Sequence, residues 1–212
     1  MQPPYSPDSH EKVATQLADA GWALCSDFLP AATIAALADE LQSRWREGVF
    51  RAAGVGAGEN LRLRPEIRND FVHWLSETAQ TPAEAPYFAE LEKLRLAINR
   101  QLYLGLFAFE GHMTIYPPGS FYRRHLDQFQ GVAYRKVSTI LYLNEDWQAE
   151  QGGQLRIHLD AGPGGEYVDI LPQGGTLVLF LSDRFYHEVL PATRMRMSLT
   201  GWLKVRRMQT ER

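Results

Sequence analysis

The sequence of 212 residues contains a single cysteine, Cys25. One thiol cannot form an internal disulfide, and it cannot supply the cysteine cluster of a zinc or iron–sulfur centre. Nothing in the chain therefore requires an oxidising compartment, and we expect a cytoplasmic protein. Because Cys25 lies in an apolar segment, we interpret it as a small buried hydrophobic residue.

The chain also lacks an excess of positive charge and any long apolar run. Its 22 lysines and arginines against 25 aspartates and glutamates give a formal net charge of -3, so no broad cationic surface is available to bind nucleic acid. No run of about 18 apolar residues occurs, and the amino terminus has neither the basic start nor the apolar stretch of a signal peptide. We expect a soluble protein without a nucleic-acid or membrane partner.

What is present is the composition of a globular protein, with 45% apolar and 22% charged residues. The length fits one domain. Residues 1–8 contain three prolines and little to bury, so we expect them to form a flexible arm. Residues 9–205 are predicted to form the single domain, and residues 206–212 a tail.

Two kinds of periodicity divide this domain. Apolar residues recur at three- and four-residue steps over 34–45 and again over 88–102, which predicts two amphipathic helices. A shorter helix is predicted to end at Gly21, followed by a strand over Trp22–Cys25. From His112 onward, β-rich segments separated by turn residues predict about seven or eight strands. The predicted fold class is α+β and mainly β, with an antiparallel sandwich or barrel in the second half.

The stretch between the two longer helices is rich in glycine and arginine. Its segment AAGVGAGEN, at 52–60, lacks the preceding strand and the following Gly-Lys-Ser/Thr of a phosphate-binding loop. Glycine lowers the cost of backbone rearrangement, and exposed arginines leave little to bury. We therefore expect residues 49–71 to form a mobile gate outside the packed core.

Three candidate metal ligands, His125, Asp127 and His187, lie in the β-rich half. On an extended backbone, residues two apart point to the same face, so His125 and Asp127 can reach one ion. A histidine from a distant strand completes a face of two imidazoles and one carboxylate, which leaves positions open on Fe(II) for a cosubstrate and oxygen. The same donors would also bind zinc. We interpret the remaining histidines as structural or exposed: His10, His73, His112 and His158.

Arg196 follows His187 by nine residues, in the segment RMRMSLTGW. With period-two alternation, Arg196, Thr200 and Trp202 share one face of a strand and the apolar side chains share the other. That face lies either in solvent or inside a polar barrel. Inside a barrel, a buried arginine requires an anion. A dicarboxylate ligand would supply one, and Tyr142 could donate a second hydrogen bond to it.

A resemblance to a known family extends from about Leu17 to Val205, through RPEIRNDFVHWL, YPPGSFYRRHLD, RKVSTILYLNEDW, GGQLRIHL and FLSDRFYHEVLPATRMRMSLTGW. In these motifs the chain is similar to the Fe(II)- and 2-oxoglutarate-dependent prolyl hydroxylases, most closely the hypoxia-inducible-factor type. Its short form looks like the single-domain bacterial members. The resemblance implies a double-stranded β-helix, or jelly roll, over about residues 110–205, with the N-terminal helices packed outside.

The resemblance also implies a role for particular residues. His125, Asp127 and His187 would bind Fe(II). Arg196 and Tyr142 would bind the distal carboxylate of 2-oxoglutarate. The other positions carried over would line the cosubstrate pocket (Tyr116, Ile140, Leu155 and Trp202) or face the substrate (Arg68, Asp70 and Arg135).

The implied reaction is hydroxylation, at C4, of a prolyl residue in a protein substrate, with 2-oxoglutarate and O2 converted to succinate and CO2. Ascorbate is a candidate reductant, oxygen sensing a candidate role, and the elongation factor that delivers aminoacyl-tRNA a candidate substrate. Asp70, placed opposite Arg135, would latch the gate over the bound peptide. Two alternatives stay open. One is the same oxygenase chemistry on a free amino acid or another side chain, and the other is a non-catalytic jelly-roll module that binds metal or acts as a sensor.

Overall fold

The structure is a computed structural model, and it describes residues 7–56, 61–128, 134–160, 162 and 164–206. The arm predicted for residues 1–8 lies outside these ranges, apart from Pro7 and Asp8. Those two residues begin the first helix, so the predicted arm is two residues too long. The tail predicted for residues 206–212 lies outside the described ranges after Arg206.

The three predicted helices are all present. The middle one begins directly after Pro30 and buries Ile34, Leu37 and Leu41, as the three- and four-residue spacing predicts. In the described part of the chain, no helix is long and apolar enough to cross a lipid bilayer. The bounds of the helices are α1 (Pro7–Ala20), α2 (Ala31–Arg46) and α3 (Ala85–Leu102).

Two antiparallel sheets, with seven and four strands, contain the eleven strands of the described residues. Four short strands were not predicted, because two to four residues carry little periodicity. They are Arg51–Ala52, Phe71–Trp74, Tyr122–His125 and His187–Val189. The bounds are β1 (Trp22–Cys25), β2 (Arg51–Ala52), β3 (Phe71–Trp74), β4 (Ala108–Tyr116), β5 (Tyr122–His125), β6 (Arg135–Tyr142), β7 (Leu155–His158), β8 (Tyr167–Ile170), β9 (Leu177–Leu181), β10 (His187–Val189) and β11 (Arg196–Lys204).

The larger sheet has the strand order β1-β9-β6-β11-β4-β3-β2, and one of its faces packs against the helices. Strand β11 shows how the sequence makes this sheet two-faced. Leu199 and Leu203 belong to the core shared with the helices, whereas Arg196 and Trp202 line the cavity between the sheets. The predicted alternation is confirmed, and the face with Arg196 is the interior one.

The smaller sheet has the order β5-β10-β7-β8 and covers the second face of the larger sheet. A separate apolar cluster fills the space between the sheets, with Tyr142 contributed by the larger and Leu155 by the smaller. The pairing of β5 with β10 places His125 opposite His187. This is the predicted mainly-β jelly roll with helices outside.

The segment predicted to be a gate, residues 49–71, is joined to the larger sheet at both ends. β2 pairs with β3 at the sheet edge, and Phe50 and Asp70 are buried. The expectation that the segment lies outside the packed core is therefore wrong for its ends. Its described middle carries the exposed side chains of Leu61 and Leu63, so only this part retains the character of a surface loop.

Candidate metal centre

A cavity of about 360 Å³ lies between the two sheets, and the three predicted metal ligands line it. Nε2 of His125 and Nε2 of His187 each lie 3.6 Å from Oδ1 of Asp127. One donor atom from each residue lies within 4.8 Å of the others. The strand pairing explains this convergence, because His125 and His187 are direct neighbours across β5 and β10. The three side chains form a possible metal site.

Backbone carbonyls orient both imidazole rings. Nδ1 of His125 lies 2.8 Å from the carbonyl oxygen of Arg123, and Nδ1 of His187 lies 3.2 Å from that of Phe185. A carbonyl oxygen can only accept, so in the neutral form of each ring Nδ1 carries the hydrogen and Nε2 keeps its lone pair. Both rings are therefore set to bind a cation through Nε2, on the side where Asp127 lies.

Hydrogen bonds also fix the carboxylate of Asp127. Its Oδ2 accepts a hydrogen bond of 2.6 Å from the hydroxyl of Ser138, which lies 2.9 Å from Oγ of Ser182. Burial opposes ionisation of Asp127, but the rings of His187 and His125 and the Ser138 hydroxyl outweigh it and hold the pKa well below its usual range. The carboxylate is therefore anionic at neutral pH, with Oδ1 facing the two rings.

The donor set fits the iron of an oxygenase. Burial and the neighbouring His125 lower the pKa of His187 to about 4, so this ring is neutral at pH 7 and able to bind metal. Two imidazoles and one carboxylate on one side of an ion leave its opposite positions open, the arrangement associated with Fe(II) oxygenases. Zn²⁺ accepts the same donors, so the ligands alone do not select iron.

A buried cation lies in the wall of the same cavity. Arg196 is 1% exposed, and its Nε donates to the carbonyl of Gly153 at 2.8 Å. Nη2 of Arg196 and the hydroxyl of Tyr142 are both buried and make no hydrogen bond to the described residues. Burial raises the pKa of Tyr142, so this hydroxyl keeps its proton. The guanidinium carbon of Arg196 lies 4.9 Å from the centre of the Tyr142 ring. Two unpartnered donors beside each other, one of them in the cavity wall, fit a carboxylate group of a ligand.

The four side chains predicted to line the cosubstrate pocket all border this cavity. They come from four strands and from both sheets, and each is buried. Together they limit the access of water to the cavity. They are Tyr116 in β4, Ile140 in β6, Leu155 in β7 and Trp202 in β11.

The substrate-side residues are arranged differently from the prediction. Asp70 is fully buried and accepts two hydrogen bonds from Arg68, of 2.7 and 2.6 Å. Arg135 instead pairs with Glu110 and lies 3.6 Å over the ring of Trp202. Asp70 and Arg135 therefore do not pair in this structure, because each group has another partner of opposite charge. The latch expected over a bound peptide stays a prediction. Arg68 and Arg135 both line the cavity.

His112 is a buried wall of the cavity, although its sequence context pointed only to a structural or exposed histidine. Its Nδ1 lies 2.8 Å from Oγ1 of Thr114, and its ring packs edge-on against Trp74 and Trp202. A signal for this position was available, because His112, Thr114 and Tyr116 alternate along β4 and so share one face.

We expect the metal-free protein to lose stability as the pH falls from about 6.5 to about 4. Burial and the nearby Arg68 lower the pKa of His112 to about 4, from 6.5. A histidine with a lowered folded pKa binds its proton more readily in the unfolded state, which costs the fold roughly 3 kcal/mol per group by pH 4 and nothing above pH 7. The pKa of His187 is also lowered to about 4, so its protonation adds to the loss of stability at low pH.

The variant His112→Gln should therefore lose less stability than the wild type when urea unfolding is compared at pH 7 and at pH 4.5. His73→Gln, at a histidine outside the cavity lining, is the matched control and should follow the wild type. If the free energy of unfolding fell equally between pH 7 and pH 4.5 in the wild type and both variants, His112 would not be the source of the acid sensitivity.

Residues 111–204, which include the three metal ligands and Arg196, match the model of the 2OG-Fe(II) oxygenase superfamily. A prolyl-4-hydroxylase structure from Pseudomonas putida is 45% identical, with a TM-score of 0.83, over 93% of this chain and 100% of that chain. A prolyl hydroxylase from Trichoplax adhaerens, in complex with a peptide fragment of the hypoxia inducible factor oxygen degradation domain, is 26% identical. Its TM-score is 0.79, over 93% of this chain and 91% of that chain.

The curated relative Egl nine homolog 1 of Homo sapiens is 31% identical over 191 residues, which are 86% of this chain and 43% of that protein. The chain therefore spans less than half the length of this relative. The Pseudomonas putida match, by contrast, covers both chains almost completely. With the His-Asp-His site and the buried Arg196 in one jelly-roll cavity, the chain belongs to the Fe(II)- and 2-oxoglutarate-dependent prolyl hydroxylases of the 2OG-Fe(II) oxygenase superfamily.

Proposed function

We propose that the protein hydroxylates a prolyl residue of a protein substrate at C4, with 2-oxoglutarate and O2 as cosubstrates. One observation carries the proposal. The cavity between the sheets combines a three-ligand metal site with a buried arginine that lacks an anionic partner among the described residues. A metal-binding module without turnover has no need for that buried cation, whereas a dicarboxylate cosubstrate requires it.

In this proposal His125, Asp127 and His187 hold Fe(II) from one side. When bound, Fe(II) with 2-oxoglutarate and O2 supplies the oxidation that turns a C–H bond into C–OH, with succinate and CO2 as coproducts. Arg196 and Tyr142 donate hydrogen bonds to the distal carboxylate of 2-oxoglutarate. Because both donors are fixed in buried walls, they orient the keto acid before the substrate arrives.

The cavity is lined by buried side chains on one part of its wall and by side chains that reach solvent on another. Tyr116, Ile140 and Leu155 present buried surface on which the carbon chain of 2-oxoglutarate can pack. Trp74, which is 53% exposed, and Arg135 also line the cavity and reach solvent. We assign these two to the mouth through which a polypeptide enters, where Arg135, held by Glu110, keeps N–H groups that can donate to backbone carbonyls of the substrate.

The substrate class comes from the relatives. The Trichoplax adhaerens enzyme was solved with a peptide fragment, which supports a polypeptide rather than a free amino acid. For this chain we propose the elongation factor that delivers aminoacyl-tRNA as the first candidate substrate, a cytoplasmic location and ascorbate as the reductant that keeps iron ferrous. A role in oxygen sensing would follow if turnover depended on O2 over the physiological range.

The test is incubation of the purified protein with Fe(II), 2-oxoglutarate and a cell extract, followed by mass spectrometry of the extract. We expect a mass increase of one oxygen atom on a proline, absent when Asp127→Ala replaces the wild type. Oxygen added to another side chain or to a free amino acid would contradict the prolyl assignment. Iron binding without 2-oxoglutarate-dependent succinate would contradict the enzymatic one.

A further inference from the structure

A column of stacked side chains connects a loop segment to the metal ligand His125. The ring of Tyr122 stacks on the His125 imidazole, with centroids 3.5 Å apart and planes 16° apart. The guanidinium carbon of Arg68 lies 4.1 Å from the centroid of the same Tyr122 ring. One ring face has room for one stacked group, so the imidazole and the guanidinium occupy opposite faces of Tyr122.

The outer end of this column is a buried charge pair. Asp70 is fully buried and accepts two hydrogen bonds from Arg68. Burial disfavours the charge on Arg68, but the hydrogen bonds and charge of Asp70 outweigh it and raise the pKa of the guanidinium. A paired planar cation on an aromatic face is a well-defined, strong contact. Asp70 therefore holds Arg68 against Tyr122.

Backbone contacts join the same segment to β5, the strand that carries His125. We call residues 66–70 the strap. The Arg123 amide donates to the carbonyl of Ile67 at 2.9 Å, and the Phe121 amide donates to Oδ1 of Asn69 at 2.8 Å. The strap thus runs beside the start of β5 and places Arg68 directly across from Tyr122.

We propose that the strap is a positioning element of the metal site, which acts on His125 through Arg68 and Tyr122. The hydrogen bond of Nδ1 to a carbonyl fixes one direction of the His125 ring, and the stack restricts rotation about that bond. Groups that orient a metal ligand contribute to metal affinity. Because such coupling is reciprocal, metal binding must in turn order the strap. This inference rests on the metal site of the proposed function and not on its substrate.

The chain contains a matched control for the column. On the outer face of β7 and β8, Arg156 makes the same two-bond pair with Asp169, with both distances 2.8 Å, and lies 3.9 Å over the ring of Tyr167. That group repeats the chemistry of Asp70, Arg68 and Tyr122 but lines no part of the cavity. Arg156→Met therefore removes an equivalent contact without affecting a metal ligand.

The test uses Mn²⁺ alone as the probe, with its dissociation constant measured by electron paramagnetic resonance. We expect Tyr122→Leu to weaken Mn²⁺ binding by about 10- to 100-fold and Arg68→Met by about 10-fold, the size of other effects on groups that support metal ligands. Tyr122→Phe keeps the stacked ring and should stay within about twofold of the wild type, as should Arg156→Met. Circular dichroism confirms that each variant is folded.

Hydrogen exchange followed by mass spectrometry gives the reciprocal readout. Mn²⁺ should slow exchange in peptides that cover residues 61–72 of the wild type, and this slowing should disappear in Tyr122→Leu and Arg68→Met. Wild-type Mn²⁺ affinity in folded Arg68→Met and Tyr122→Leu, or equal losses in Tyr122→Phe and Tyr122→Leu, would overturn the proposal. A wild type that does not bind Mn²⁺ would overturn the metal site together with it. The expected Mn²⁺ results with no hydroxylated proline would contradict only the proposed function.

Discussion

Replacing Asp127 with alanine is expected to reduce 2-oxoglutarate turnover to the level measured without added iron. Asp127 supplies the anionic member of the metal site, and its Oδ1 lies 3.6 Å from Nε2 of both His125 and His187. Its loss leaves two imidazoles without an anionic ligand, so metal affinity should fall by more than the roughly 10- to 100-fold typical of supporting groups. Succinate formation and Mn²⁺ binding, measured in parallel, check this expectation.

The same loss is expected for His125→Ala and His187→Ala, each with the domain still folded, because neither side chain belongs to the apolar core that packs the larger sheet against the helices. Asp169→Ala is the control, since it removes a carboxylate that pairs with Arg156 on the outer face. It should retain both turnover and Mn²⁺ binding. Wild-type turnover in any of the three ligand variants would remove that residue from the metal site.

Replacing Arg196 with alanine is expected to raise the KM for 2-oxoglutarate by two to four orders of magnitude. Removing one member of a desolvated charge pair costs about 3–5 kcal/mol, because the other charge stays buried without a partner. In the free protein, the Nη2 group of Arg196 has no hydrogen-bond partner among the described residues, so the replacement breaks no ion pair there and removes the hydrogen bond to the carbonyl of Gly153. Circular dichroism checks that the variant is folded. Metal binding should be unchanged, since Arg196 is not a ligand.

Arg194→Ala is the control for this prediction. Arg194 lies two residues away and packs 5.0 Å from the ring of Trp147, and it does not line the cavity. Its replacement should leave the KM for 2-oxoglutarate near the wild-type value. A large effect of Arg194→Ala with none for Arg196→Ala would mean that the cosubstrate carboxylate binds elsewhere.

Local patterns in the sequence determined most of the secondary structure and the composition of the site. The spacing of Ile34, Leu37 and Leu41 predicts α2 because a helix places residues three and four apart on one stripe. The two-residue spacing of His125 and Asp127 predicts a shared face, and the two do converge. Both signals operate within a few residues, where backbone geometry alone decides which side chains are neighbours.

Other features were open in the sequence and were decided by tertiary packing. Alternation along β11 separated Arg196 from Leu199, but only the smaller sheet, by covering that face, placed Arg196 inside rather than in solvent. Packing likewise decided that Asp70 pairs with Arg68 and not with Arg135. A buried carboxylate takes the nearest cation that the fold supplies, and that distance depends on strand pairings between residues far apart in the chain.

The sequence by itself therefore determined which residues carry the chemistry, since ligand type and spacing are local properties. It did not determine which side chains hold these residues in position. Tyr122 can stack on His125 because the register of β5 against β10 shifts between them. Arg68, which lies over Tyr122, comes from a segment more than fifty residues earlier. Only the tertiary structure decides such contacts, because they require the packing of a loop against a strand edge, which no periodicity in either segment encodes.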